Sequence, residues 1–111
     1  MLGLDDTGDG EPLVLVHGLA TTRLIWRHVV PLLARERRVI AIDVPGFGAS
    51  PPAGEGFDLE QVADAIDDGL AAAGVDERYD LAGHSMGGAL ALVLAGRRLE
   101  RVRRLVLCAP A

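Results

Sequence analysis

At 111 residues, half of them hydrophobic, the chain is long enough to close one core and too short for two domains. Its 11 basic residues, all arginine, are outnumbered by 16 acidic ones, and the net charge of −5 argues against nucleic acid or an anionic membrane as the main partner. A single cysteine, Cys108, excludes an internal disulfide and a cysteine-based metal site; its apolar neighbours predict a buried small hydrophobe.

Met1 to Glu11 is acidic and Gly-rich, with neither the cationic start nor the apolar stretch of a secretory signal, and no apolar run approaches a membrane span. A cytoplasmic protein is the expectation, and little before Leu13 reads as a strand. Leu13-Val14-Leu15-Val16 is a continuous apolar run between turn signals, which predicts a strand buried on both faces. From Thr22 to Arg35, Leu24, Ile25, Val29, Leu32 and Leu33 recur at helical spacing. Pro31 interrupts them, which predicts either a kinked helix or a turn followed by a helix opening near the proline. Val39-Ile40-Ala41-Ile42 is a second buried strand, closed by Asp43 and a Gly- and Pro-rich loop through Pro52.

Asp58 to Ala73 carries the stripe Leu59, Val62, Ala63, Ile66, Leu70, Ala73 of an amphipathic helix. Asp58 and Gln61 are placed as a capping box, and Gly74 as the stop. Asp64, Asp67 and Asp68 are expected on its solvated side rather than around a metal. Tyr79 to Ala82 predicts a third strand, a helix follows to about Leu99, and Leu105 to Cys108 predicts a fourth strand. The arginines between Arg97 and Arg104 then read as a solvated helix end that complements the dipole.

Between the third strand and its helix stands Gly83-His84-Ser85-Met86-Gly87, a G-x-S-x-G arrangement. A strand that turns abruptly into a helix strains its pivot residue, and its neighbours must be almost without side chains. Gly83 and Gly87 meet that need and leave the Ser85 hydroxyl exposed above the sheet edge. The Met86 N–H, in the first helical turn, points to where an oxyanion would form. The order β-α-β-α-β-α-β predicts an α/β fold, a three-layer αβα arrangement with a parallel sheet and right-handed crossovers. In such a sheet the loops at the strands' carboxyl ends converge. The loops at His17-Gly18, Asp43–Ser50 and Ser85 are therefore expected together.

These three segments resemble the α/β-hydrolase superfamily, in its serine-nucleophile branch of esterases, lactonases, C–C hydrolases and cofactor-free haloperoxidases. Leu13–Gly18 is similar to the strand and His-Gly entry of the oxyanion loop. Asp43–Ser50 is similar to the Asp-x-x-Gly-x-Gly-x-Ser turn, and Gly83–Gly88 to the Gly-His-Ser-Met-Gly-Gly elbow. The resemblance implies that Ser85 attacks an acyl carbon of a small-molecule substrate, with the backbone N–H groups of Leu19 and Met86 as oxyanion donors. Gly18 then permits close approach, and Trp26 and Phe47 are candidates to line the cleft or to pack in the core. Asp43 is implied to organise its turn. No cofactor or metal is implied, and the oligomeric state is left open.

A serine nucleophile needs a base and an orienting acid, which in this fold follow it in chain order. After Ser85 there is no histidine, Glu100 is the only acidic residue, and the end Cys108-Ala109-Pro110-Ala111 holds no carboxylate. His17, His28 and His84 stand where the family keeps no base, and His84 is expected to point away from the neighbouring hydroxyl. The expectation is a single, incomplete domain over residues 1–111, the N-terminal portion of a larger hydrolase, truncated after the strand that follows the elbow and inactive alone. The alternative is a non-catalytic α/β domain that binds a small ligand or a protein partner in the crevice. A nucleotide-binding domain is disfavoured by the missing G-x-G-x-x-G and G-x-x-x-x-G-K-[ST] patterns.

Overall fold

The computed structural model describes residues 1–75 and 77–109, so Pro110 and Ala111 of the carboxylate-free end lie outside the described residues. Five strands, β1 (Leu4–Thr7), β2 (Pro12–Val16), β3 (Arg38–Ile42), β4 (Tyr79–His84) and β5 (Val102–Cys108), form one sheet in the order β1-β3-β2-β4-β5. The pairs β2–β3, β2–β4 and β4–β5 are parallel. All five residues of β2 are buried, as its unbroken apolar run requires of an interior parallel strand.

The two-residue alternation of the strands divides the core. Val14, Val16, Ile40, Ile42 and Leu81 face helices α2 (Leu59–Ala72) and α3 (Met86–Arg97), meeting Val62, Ile66, Leu70, Leu90 and Leu94. Leu13, Leu15, Val39, Ala41 and Ala82 face the other way, under Trp26, Val30, Leu33 and Ala34. Helices thus cover both faces, in the three layers expected. Full burial of each such aliphatic side chain is worth roughly 1.5–3 kcal/mol.

Pro31 decides the second layer. The chain makes a 3₁₀ turn at Arg23–Trp26, capped by the Thr22 hydroxyl, then a separate four-residue helix α1 (Val30–Leu33) with the proline in its first turn. There its missing N–H would have had no partner. Helix α2 starts on the Asp58 carboxylate, which accepts the Glu60 and Gln61 N–H groups. It stops at Gly74 (φ +86°), where Gly74 N–H donates to Ala71 and Val75 N–H to Leu70. That pair of bonds needs a left-handed residue between them.

Four expectations are corrected. A strand does precede Leu13: β1 runs antiparallel to β3, Leu4 opposite Ile42, so the sheet is not wholly parallel. Leu-Asp-Asp-Thr has no apolar alternation, and this edge strand is held by its ladder and by Arg38 on Asp6. Asp67 is buried rather than solvated, because it lies one turn beyond Ala63 and one before Leu70 on the packed stripe; Arg98 neutralises it at 2.6 Å. The arginine run is not one solvated helix end. β5 begins three residues earlier than expected, α3 ends at Arg97, and Arg103 and Arg104 converge with Arg37 on the buried Asp80. Both adjacent arginines reach one carboxylate because the β4–β5 register shifts between Tyr79 and Leu81. Cys108, finally, is exposed: β5 is the last strand of the sheet, and its Val106 and Leu107 are exposed beside it.

Candidate active site

Strand β4 runs into α3 through Ser85, whose backbone sits at φ 57°, ψ −123°. A non-glycine residue there is strained by roughly 1–3 kcal/mol and persists only where the surroundings leave no alternative. The surroundings are closed. A Cβ on Gly83 would stand 2.8 Å from the Gly88 Cα and closer still to the Gly87 carbonyl. On Gly87 it would stand 2.8 Å from the Val16 carbonyl carbon and closer to the oxygens of Val16 and His17. The Ser85 N–H is pinned to the Cys108 carbonyl at 3.1 Å, and the Ser85 carbonyl accepts the Gly88 N–H at 2.9 Å. The hydroxyl itself makes no hydrogen bond among the described residues and is half-buried.

The loop after β2 lies across this turn. A Cβ on Gly18 would come within 3.1 Å of the Ser85 Cβ, so a larger residue would crowd the hydroxyl. Leu19 follows with an exposed side chain, and Ala20 turns the loop at φ 60°. Met86, the first residue of α3, has no carbonyl a turn back to receive its N–H.

His17 ties this loop to the end of β3. Its ring is fully buried; Nε2 accepts the Val44 N–H at 2.9 Å, which leaves the proton on Nδ1 to donate to the Gly18 carbonyl at 2.7 Å. Burial lowers its pKa, against the opposing pull of the Gly18 carbonyl and the Asp43 charge. A charged ring would lose the Val44 bond as well. The unfolded chain takes up this proton near pH 6.5, whereas the folded chain resists it, so in that window the unfolded state binds more protons and stability rises with pH. The urea midpoint is therefore expected to fall between about pH 7 and about pH 5, with a limiting slope of about 1.4 kcal/mol per unit from this residue. In His17→Gln, whose amide oxygen can still accept from Val44, that contribution to the slope is expected to vanish. Equal slopes in the two proteins would contradict it.

Asp43 organises the turn beside it. Its carboxylate, wholly buried, accepts the N–H groups of Arg23 and Ala49, both at 2.8 Å, and the Arg23 guanidinium. Burial alone would raise its pKa; these donors override it and hold the carboxyl below the ordinary range. Gly48 is required there, at φ +52°, because a Cβ would overlap the Asp43 carboxyl. Ser50 donates to the Asp43 carbonyl and accepts from Gly3, so the turn also fastens the entry to β1.

A cavity of about 380 Å³ opens at Ser85 between Gly18, Leu19 and Thr21 on one side and Ile25, Trp26, Val29 and His84 on the other. Trp26 meets the His84 ring edge-on at 6.4 Å, and among the described residues no hydrogen bond joins His84 to Ser85. Phe47 is not part of this lining: it packs on the core, edge-on to His17 and to Phe57. Gly18, Leu19, Trp26 and Ser85 line this one cavity, Met86 adjoins Ser85 at the start of α3, and Phe47 falls on the packing side of its two alternatives. Ile25 and Val29, apolar residues at helical spacing in the sequence, also stand in this wall. No group of three or more His, Cys, Asp or Glu side chains that could hold a metal occurs among the described residues, nor any helix long and apolar enough to cross a membrane.

Residues 11–111 match the α/β hydrolase fold family. The chain is 46% identical over 108 residues to a 2-hydroxymuconate semialdehyde hydrolase of Pseudomonas sp. (strain CF600), covering 94% of this chain and 38% of that protein. It is 40% identical over 100 residues to the pimeloyl-[acyl-carrier protein] methyl ester esterase of Aeromonas hydrophila, covering 89% and 37%. A thermophilic esterase from Thermogutta terrifontis superposes with a TM-score of 0.93 at 34% identity, over 99% of this chain and 40% of that one. The chain therefore spans about 40% of the length of the proteins it resembles. With a match running from Glu11, just before β2, through the elbow and β5, the chain belongs to the α/β-hydrolase family.

Proposed function

We propose that Ser85 is the nucleophile of an acyl-transfer hydrolase acting on an ester-like or other acyl small molecule, and that the chain is one incomplete catalytic domain. The Leu19 and Met86 N–H groups would hold the oxyanion of the tetrahedral intermediate, each such donor being typically worth about 3 kcal/mol. The observation that carries this reading is the Ser85 backbone: a strained residue, walled by glycines that admit no side chain, whose hydroxyl makes no hydrogen bond among the described residues. Strain of that kind serves to aim a reactive group.

The same residues limit the chain. His17 is held neutral with both ring nitrogens engaged, so it has no lone pair to take the Ser85 proton. Asp43 is spent on its turn. A base and an acid from polypeptide beyond these 111 residues complete the site in this account, and the isolated chain has negligible turnover. A semialdehyde hydrolase and a methyl ester esterase among the relatives support this reading. Its test is acylation of Ser85 by a p-nitrophenyl ester with imidazole added as base; absence of a Ser85 adduct would favour a binding domain instead.

A further inference from the structure

We propose that the wall formed by Leu19, Ile25, Trp26 and Val29 receives an uncharged, apolar portion of the substrate, with Trp26 as its specificity-determining residue. This rests on Ser85 being the reacting group. The wall is apolar surface turned toward the hydroxyl: Leu19 is 57% and Val29 41% exposed, and the edge-on contact with His84 sets the Trp26 ring across the cleft. The Trp26 Nε1–H is buried without a partner among the described residues, so none of them fixes the ring by a hydrogen bond there against an entering ligand.

The turn that carries Ile25 and Trp26 also carries two arginines, and both face elsewhere. Arg23 is bound to Asp43 and Asp5, and Arg27 donates to the Leu24 carbonyl. They line a different cavity, on the β1 side of the turn, together with Asp5 and Asp6. Among the described residues, the polar groups lining the Ser85 cleft besides the serine are those of Thr21, His84 and the Trp26 ring N–H, with no arginine to neutralise a carboxylate. A substrate arm lying on this wall would therefore leave an anionic end unpaired against apolar surface, which is unfavourable. About 380 Å³ suits a chain of several carbons or one ring.

Trp26 is the chain's single tryptophan, so its emission reports occupancy of the wall directly. The experiment titrates the chain with 2-octanone and with 7-oxooctanoate, which share a methyl ketone and differ in a terminal methyl against a carboxylate. The expected result is a Trp26 emission shift with an affinity at least about tenfold tighter for 2-octanone. Val29→Arg, at an exposed position, is expected to reverse or abolish that preference by supplying the missing cation. Equal or tighter binding of the carboxylate, or no emission change with either compound, would overturn the proposal. Because binding requires no reaction at Ser85, a failed wall leaves a Ser85 adduct standing. A ketone that binds while no adduct forms would overturn only the nucleophile.

Discussion

Gly87→Ala is expected to destabilise the chain by about 3 kcal/mol or more, a large fraction of the stability of a domain of this size. The methyl would meet backbone, not a movable side chain: the carbonyls of Val16 and His17, at the end of β2. To make room, α3 must lift from the sheet, and the packing of Leu90, Ala91 and Leu94 on Val14 and Val16 goes with it. Gly96→Ala is the control within the same helix. Nothing lies within 4 Å of a Cβ there, so replacing a helical glycine is expected to be neutral or to stabilise by up to about 1 kcal/mol. Urea unfolding of both variants checks the pair, and similar midpoints would contradict the close approach.

Asp43→Ala is expected to cost about 3 kcal/mol, toward the lower end of what breaking a buried ion pair costs. The lower end applies because the Arg23 side chain keeps 25% of its exposure and can turn partly to water. The Arg23 and Ala49 N–H groups, in contrast, lose their acceptor where they stand. The effect has a pH signature. The Asp43 pKa is depressed on folding, so its contribution is present above the unfolded value near 4 and is lost as the pH falls through the lower folded value. Asp80, held down against burial by Arg104 and Arg37, adds to the same acid limb in both proteins. The gap between wild type and variant in urea midpoint should therefore narrow in acid. A gap that persists unchanged at low pH would assign the loss to packing alone.

What was legible in the sequence were the features whose cause is local. A run such as Leu13–Val16 has one way to bury four consecutive apolar positions, and a Gly-x-Ser-x-Gly between strand and helix patterns has few purposes. The three loops at one sheet edge followed from the alternation of elements. Illegible features were those decided by partners distant in sequence. β1 carries no pattern of its own and exists because β3 offers it a ladder. Arg103 and Arg104 read as a helix end until the β4–β5 register shift brings both to Asp80. Cys108 sits in an apolar run, but burial depends on what lies beyond β5, and among the described residues no strand pairs with its outer edge. Asp67 is the exception, since its place at four residues from Ala63 and three from Leu70 already put it on the packed stripe.

Ser85 is proposed as a nucleophile with no base among the described residues to take its proton. The direct measurement is the intact mass of the chain after exposure to a p-nitrophenyl ester, with and without imidazole, for wild type and Ser85→Ala. The account predicts an acyl adduct on Ser85 that accumulates only with imidazole and is absent from the variant. Rapid ester turnover without imidazole, lost in Ser85→Ala, would show that the chain holds its own base and would contradict the account.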